Sequence, residues 1–78
     1  MTIQILGTGC PKCRALESSA RQAVQEHGSE IIVEKVEDLD QIMEMGVMMT
    51  PALVIDGKVI SEGKLLSKDQ VLSYIREA

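Results

Sequence analysis

The amino-acid sequence predicts an α/β fold of order βαβαββα, a four-stranded mixed sheet with helices on both faces. Three observations carry this. A short β-branched run from Thr2 to Leu6 is followed by glycines and then by a long stretch with helical apolar spacing. Asp56-Gly57 stands between two apolar runs, a strong short-range signal for a hairpin. Two further stretches, opening at Asp38 and at Ser67, carry helix-start signatures.

Thr2 to Leu6 reads as the first strand, ended by Gly7-Thr8-Gly9. Pro11 stands where a helix tolerates proline, in the first turn, because an N–H there has no intrahelical partner. Cys13, Leu16, Ala20, Ala23 and Val24 then recur at helical spacing as one buried stripe. Glu17 and Arg21, four apart, pair on the wet side, and Gly28 supplies the stop. Ile31-Ile32-Val33 is apolar on consecutive residues, which predicts a strand covered on both faces. Asp38 with Gln41 resembles a capping box, opening a short helix with Leu39, Ile42 and Met43 inward and ending at Gly46. Val47 to Thr50 is a loop leading to Pro51. Ala52 to Ile55 and Lys58 to Ile60 form the hairpin. Ser67 with Gln70 is a second capping box, with Leu66 and Val71 as its hydrophobic staple. Val71, Leu72 and Ile75 give the last helix its buried stripe, with Tyr74 beside it. The first two strands, joined by a helix, are expected to run parallel with a right-handed crossover.

At 78 residues the chain is read as a single domain, 1–78, with no room for a second core. Its hydrophobic fraction of 45% and charged fraction of 26% are those of a globular domain. Tyr74 is the only aromatic residue, so the five methionines fill space that rings would otherwise occupy. The net charge of −4, the scattered basic residues and the lack of stacking aromatics argue against nucleic acid. No apolar run approaches the ~20 residues of a membrane helix. The segment after Met1 is too short, and lacks the cationic flank, for a secretory signal. The expectation is a cytoplasmic, monomeric protein with neither nucleic-acid nor membrane partners.

Cys10-Pro11-Lys12-Cys13 is the chemically distinctive motif. Two cysteines are too few for a disulfide scaffold, and a C-x-x-C pair in a cytosolic chain points to redox chemistry or metal binding. At a helix start, unsatisfied N–H groups and the positive end of the helix dipole favour a thiolate. A spacing of three brings the second sulfur to nearly the same face. Cys10, at the exposed edge, is the candidate nucleophile, expected to titrate below a free thiol; Cys13, in line with Leu16, is the candidate resolving thiol. Lys12 adds a nearby positive charge. No cofactor beyond a redox-active Cys10–Cys13 disulfide is expected, and no metal. His27, the single histidine, is ~21 Å along the helix from Cys13 and is read as a favourable cation at a helix C-terminus. Met43 is assigned to core filling. Met48 and Met49 are candidates for an apolar rim around Cys10.

With C-P-x-C after the first strand, this order of elements resembles the thioredoxin fold in its smallest, glutaredoxin-sized form. It is most similar to the small thioredoxin-like proteins of archaea and bacteria with G-C-x-x-C near the N-terminus, a resemblance that covers essentially the whole chain. Met49-Thr50-Pro51-Ala52 is similar to that family's Thr-Pro segment. The resemblance implies that the Thr50–Pro51 bond is cis and faces the dithiol, and that Gly9, Met49, Thr50 and Pro51 contact an extended substrate. It also implies thiol–disulfide oxidoreductase activity on protein or small-molecule disulfides, with a reductase as electron donor. Gly9 stands where thioredoxins often have an aromatic residue, and Gln4 where they bury an Asp. Where glutaredoxins have Tyr and a Gly-Gly pair, this chain has Lys12 and Ser61-Glu62-Gly63-Lys64. The alternative is a Cu(I) or other soft-metal module using the same pair. Copper chaperones run βαββαβ, so the structure of residues 38–46, helix or strand, separates the two.

Overall fold

The computed structural model describes residues 1–9, 11–28 and 30–77. The described elements follow the order read from the sequence: β1 (Thr2–Leu6), α1 (Pro11–His27), β2 (Ile32–Val36), α2 (Leu39–Glu44), β3 (Ala52–Ile55), β4 (Lys58–Glu62) and α3 (Lys68–Glu77). The sheet runs β2-β1-β3-β4. β1 pairs parallel with β2 and antiparallel with β3, and β3 pairs antiparallel with β4.

Alternation along each strand sends apolar side chains into two layers. Ile3 and Ile5 of β1, with Leu53 and Ile55 of β3, pack with Leu16, Ala20 and Ala23 of α1 and Val71, Leu72 and Ile75 of α3. On the other face Leu6, Ala52 and Val54 pack with Ile42 and Val47, with Val36, Met45 and Val59 at the margin. Because α2 has only six residues, it covers only the end of this face where β1 and β2 finish. Beyond its reach Gln4 Nε2 donates to Glu34 Oε2 at 3.4 Å, and Ile32 is 61% exposed.

β2 therefore departs from the expectation of a doubly covered strand. Ile31 precedes it, it lies at the sheet edge, and none of its residues is fully buried. The doubly covered strand is β3, all four of whose residues are buried. A consecutive apolar run reports hydrophobicity, whereas pairing order decides which strand is central. α2 departs as well. Asp38 caps it, but its carboxylate accepts the Asp40 N–H at 2.9 Å rather than closing a box with Gln41. Of the three side chains expected inward only Ile42 is buried; Leu39 is 58% and Met43 65% exposed. A helix this short turns one narrow face inward, and Met45 and Val47 beyond its end complete the packing.

The local signals otherwise act as read. Asp56 and Gly57 have φ of 50° and 81°, the two positive values a type I′ turn requires. Gly28 ends α1 at φ 75°. Ser67 N–H donates to Gln70 Oε1 at 2.9 Å and Gln70 N–H to Ser67 Oγ at 3.3 Å, a complete capping box. Lys68 Nζ lies 2.7 Å from Glu26 Oε2 and ties α3 to α1.

Ser67→Ala is expected to cost about 1 kcal/mol, read as a lower urea midpoint; an unchanged midpoint would remove the box from the stability of α3. The Lys68 hydrogen bond and charge hold the Glu26 carboxyl below its ordinary 4.5, and Glu26 raises Lys68 above its ordinary 10.5. The carboxyl contribution is present above the unfolded value and lost as pH falls through the folded one. The ammonium contribution is present below 10.5 and lost as pH rises through the raised value. Lys68→Met should thus flatten both limbs of the Tm–pH profile slightly at low salt, since the pair is solvent-screened. Limbs of unchanged slope would show that the pair contributes nothing.

Candidate active site

The site grows out of the end of β1. Gly7 N–H donates to Val36 O at 2.9 Å, the last link between β1 and β2. Thr8 is exposed, and Gly9, half-exposed at φ 89°, takes a left-handed conformation that favours glycine just before α1. Pro11 is the first helical residue. Pro11 and Lys12 are exposed on the first turn, and Cys13 is 5% exposed, facing the sheet. Cys10, the candidate nucleophile, lies outside the described residues. α1 is 17 residues long with no acidic residue in its first turn, so no carboxylate there opposes the positive end of its dipole.

Cys13 packs against the backbone of Gly7. A Cβ placed on Gly7 would collide with Cys13 Sγ, and would lie 3.0 Å from Cys13 Cβ and 4.0 Å from Pro51 Cα. Gly7 is not among the glycines at positive φ, so space and not backbone conformation demands glycine there. Pro51 is fully buried and its bond to Thr50 is cis, as the resemblance implies. Gly7 is thus the meeting point of Cys13 and Pro51.

The loop leading to Pro51 is held from the side by the end of β4. Pro51 O accepts the Gly63 N–H at 2.8 Å, and Met48 N–H donates to Glu62 Oε1 at 2.9 Å. Gly63 has φ 68°, and a Cβ on it would lie 3.1 Å from Met49 Cε and 3.2 Å from Met49 Cβ. Met49 therefore lies across Gly63 with 62% of its surface exposed, Met48 is 92% exposed, and Thr50 is exposed.

Of the expected site residues, the structure brings Cys13 and Pro51 together. Gly9, Pro11 and Lys12 stand on the turn entering α1, and Met49 and Thr50 on the exposed rim beside Pro51. Gln4 lies partly exposed on the α2 face with Glu34, and His27 is exposed at the far end of α1. Sequence reasoning missed Gly7 as a packing residue and the Glu62-Gly63 clamp. A glycine two residues before a second glycine that already serves the turn was a signal for the first; nothing local marks the reach of Glu62 to Met48. Residues 39–44 are helical, which gives βαβαββα and not the order of copper chaperones.

A family model described as a thioredoxin domain matches residues 1–76. A thioredoxin of Methanothermobacter thermautotrophicus is 48% identical over 59 residues, spanning 76% of this chain and 77% of that protein. A thioredoxin of Methanocaldococcus jannaschii is 37% identical over 64 residues, spanning 76% and 74%. Among solved structures, thioredoxin-2, described as a component of malaria parasite protein secretion machinery, superposes with a TM-score of 0.75. That match covers 99% of this chain and 82% of the other at 16% identity, a likeness of fold.

Gly7→Ala is expected to destabilise the chain by about 1–3 kcal/mol through overpacking against Cys13. Adding Cys13→Ala, which removes the colliding sulfur, should recover part of that loss in a urea-unfolding cycle. Strictly additive costs would show that the two residues do not constrain each other.

Proposed function

The chain belongs to the thioredoxin family, and from that premise we propose that it is a thiol–disulfide oxidoreductase in which Cys10 attacks and Cys13 resolves. The observation that carries the reading is the placement of Cys13, buried one turn into α1 against Gly7, with Pro51 beside it. Cys10 immediately precedes the first helical residue in the chain, and a helix start with no carboxylate in its first turn favours a thiolate.

In the reducing direction the Cys10 thiolate attacks one sulfur of a substrate disulfide. A Cys10–substrate disulfide forms, the substrate S–S bond breaks, and the first substrate sulfur leaves as thiolate and takes up a proton. Cys13 then gives up its proton and attacks the Cys10 sulfur. The Cys10–Cys13 disulfide forms and the second substrate thiol departs. Two electrons have passed from the dithiol to the substrate, and a reductase restores them. In this reading Thr50 meets an extended substrate backbone, supported by its exposure next to Pro51. Substrates are protein or small-molecule disulfides.

The roles predict unequal variants. Cys13→Ser should accumulate a mixed disulfide with a disulfide-bonded test protein, seen as a mass adduct in the absence of metal, because nothing nearby releases it. Cys10→Ser should trap weakly, since the remaining thiol is buried. Equal trapping by both would overturn the role assignment, and trapping by neither would favour a metal-binding pair.

A further inference from the structure

Met48, Met49 and Thr50 separate buried Val47 from buried Pro51, and all three turn their side chains outward. Among the described residues this stretch makes a single hydrogen bond: the Met48 N–H donates to Glu62 Oε1 at 2.9 Å. A short segment tied only at its buried ends keeps backbone freedom, and that freedom is lost when a partner strand pairs with it. Whatever fixes the segment beforehand removes this cost from binding.

Glu62 is the last residue of β4 and stands opposite Ala52 in the ladder. Its side chain is exposed and enters none of the ion pairs among the described residues. Its carboxylate is therefore not engaged by a cation, and an N–H bond to an ionised carboxylate is roughly twice as strong as one to a neutral acceptor. The next residue, Gly63, gives its N–H to Pro51 O at 2.8 Å. The end of β4 thus grips the chain on both sides of Thr50, at Met48 before it and at Pro51 after it.

We propose that Glu62 is a positioning residue: through the Met48 N–H its carboxylate holds Thr50 where an extended substrate backbone pairs with it, so that the substrate need not order the loop as it binds. The role rests on the oxidoreductase reading above and adds nothing to the sulfur chemistry itself. Its removal therefore weakens binding without slowing the bound reaction, and only for substrates with a backbone that reaches Thr50.

The test mixes the pre-reduced protein with excess disulfide substrate and stops the reaction by alkylation, so that the dithiol is the sole source of electrons. Oxidised protein, counted by mass, is followed against substrate concentration. Two substrates are compared, a disulfide-bonded test protein and a small aromatic disulfide with no peptide backbone. Glu62→Ala should raise the half-saturating concentration of the test protein about three- to tenfold, the equivalent of one net hydrogen bond. The limiting rate and the small-disulfide rate should stay in place. Glu62→Gln keeps a carbonyl oxygen for the Met48 N–H and should lie closer to the parent protein. In Glu62→Ala, hydrogen exchange should quicken at the Met48 amide and stay slow at the Gly63 amide, which also shows that the variant is folded. Unchanged half-saturation or unchanged Met48 exchange in Glu62→Ala would overturn the proposal. So would an equal effect on the small disulfide, or a Glu62→Gln as impaired as Glu62→Ala, which would mark a direct charge contact with substrate. A parent protein oxidised by neither substrate would instead remove the oxidoreductase reading, and this role with it.

Discussion

Three parts of the chain meet where Cys13 touches the backbone of Gly7: the exit of β1, the first turn of α1, and Pro51 at the entry to β3. The contact leaves no room for a Cβ, so the distance between helix and strand is set by a sulfur resting on a bare Cα. Dense packing transmits such a constraint. If α1 moved outward by the width of a methyl group, the stripe of Leu16, Ala20 and Ala23 would lose its register with Ile3 and Ile5. The position of Cys13 and the spacing of the main core are consequently one property.

The second anchor comes from β4. The strand extends to Glu62, so its last side chain and the following amide reach the loop that precedes β3. One carboxylate oxygen takes the Met48 N–H and one amide takes up the Pro51 carbonyl. The loop is thus fastened through its backbone while the side chains of Met48, Met49 and Thr50 stay outward. Main-chain atoms hold the loop in place, so its side chains are not needed to anchor it.

What the sequence disclosed follows the range of each interaction. Asp56-Gly57 and Ser67 with Gln70 act within a few residues, and their geometry could be read from residue types alone. The Cys-Pro-x-Cys motif and Thr50-Pro51 were legible as a pair through family resemblance. Sheet position was not, because the apolar run Ile31-Ile32-Val33 looks like a central strand until the pairing order makes β3 central and β2 an edge. Helix phase over α2 was not legible either: the spacing puts Leu39, Ile42 and Met43 inward, but a six-residue helix buries only Ile42. Gly7 was read as a strand breaker, and its true partner only becomes visible once the chain has turned back on itself.

The two rims of the sheet bear on how the folded chain behaves when crowded with copies of itself. β2 presents Glu34 and Lys35, the latter already engaged by Glu17 at 3.6 Å and Glu37 at 3.1 Å. β4 begins at Lys58, ends at Glu62, and its pairing with β3 is irregular between Leu53 and Val54. Charged and irregular edges are poor templates for an incoming strand. An incoming copy meets charged side chains at one rim and an irregular ladder at the other, which makes the native sheet a weak seed for fibrils.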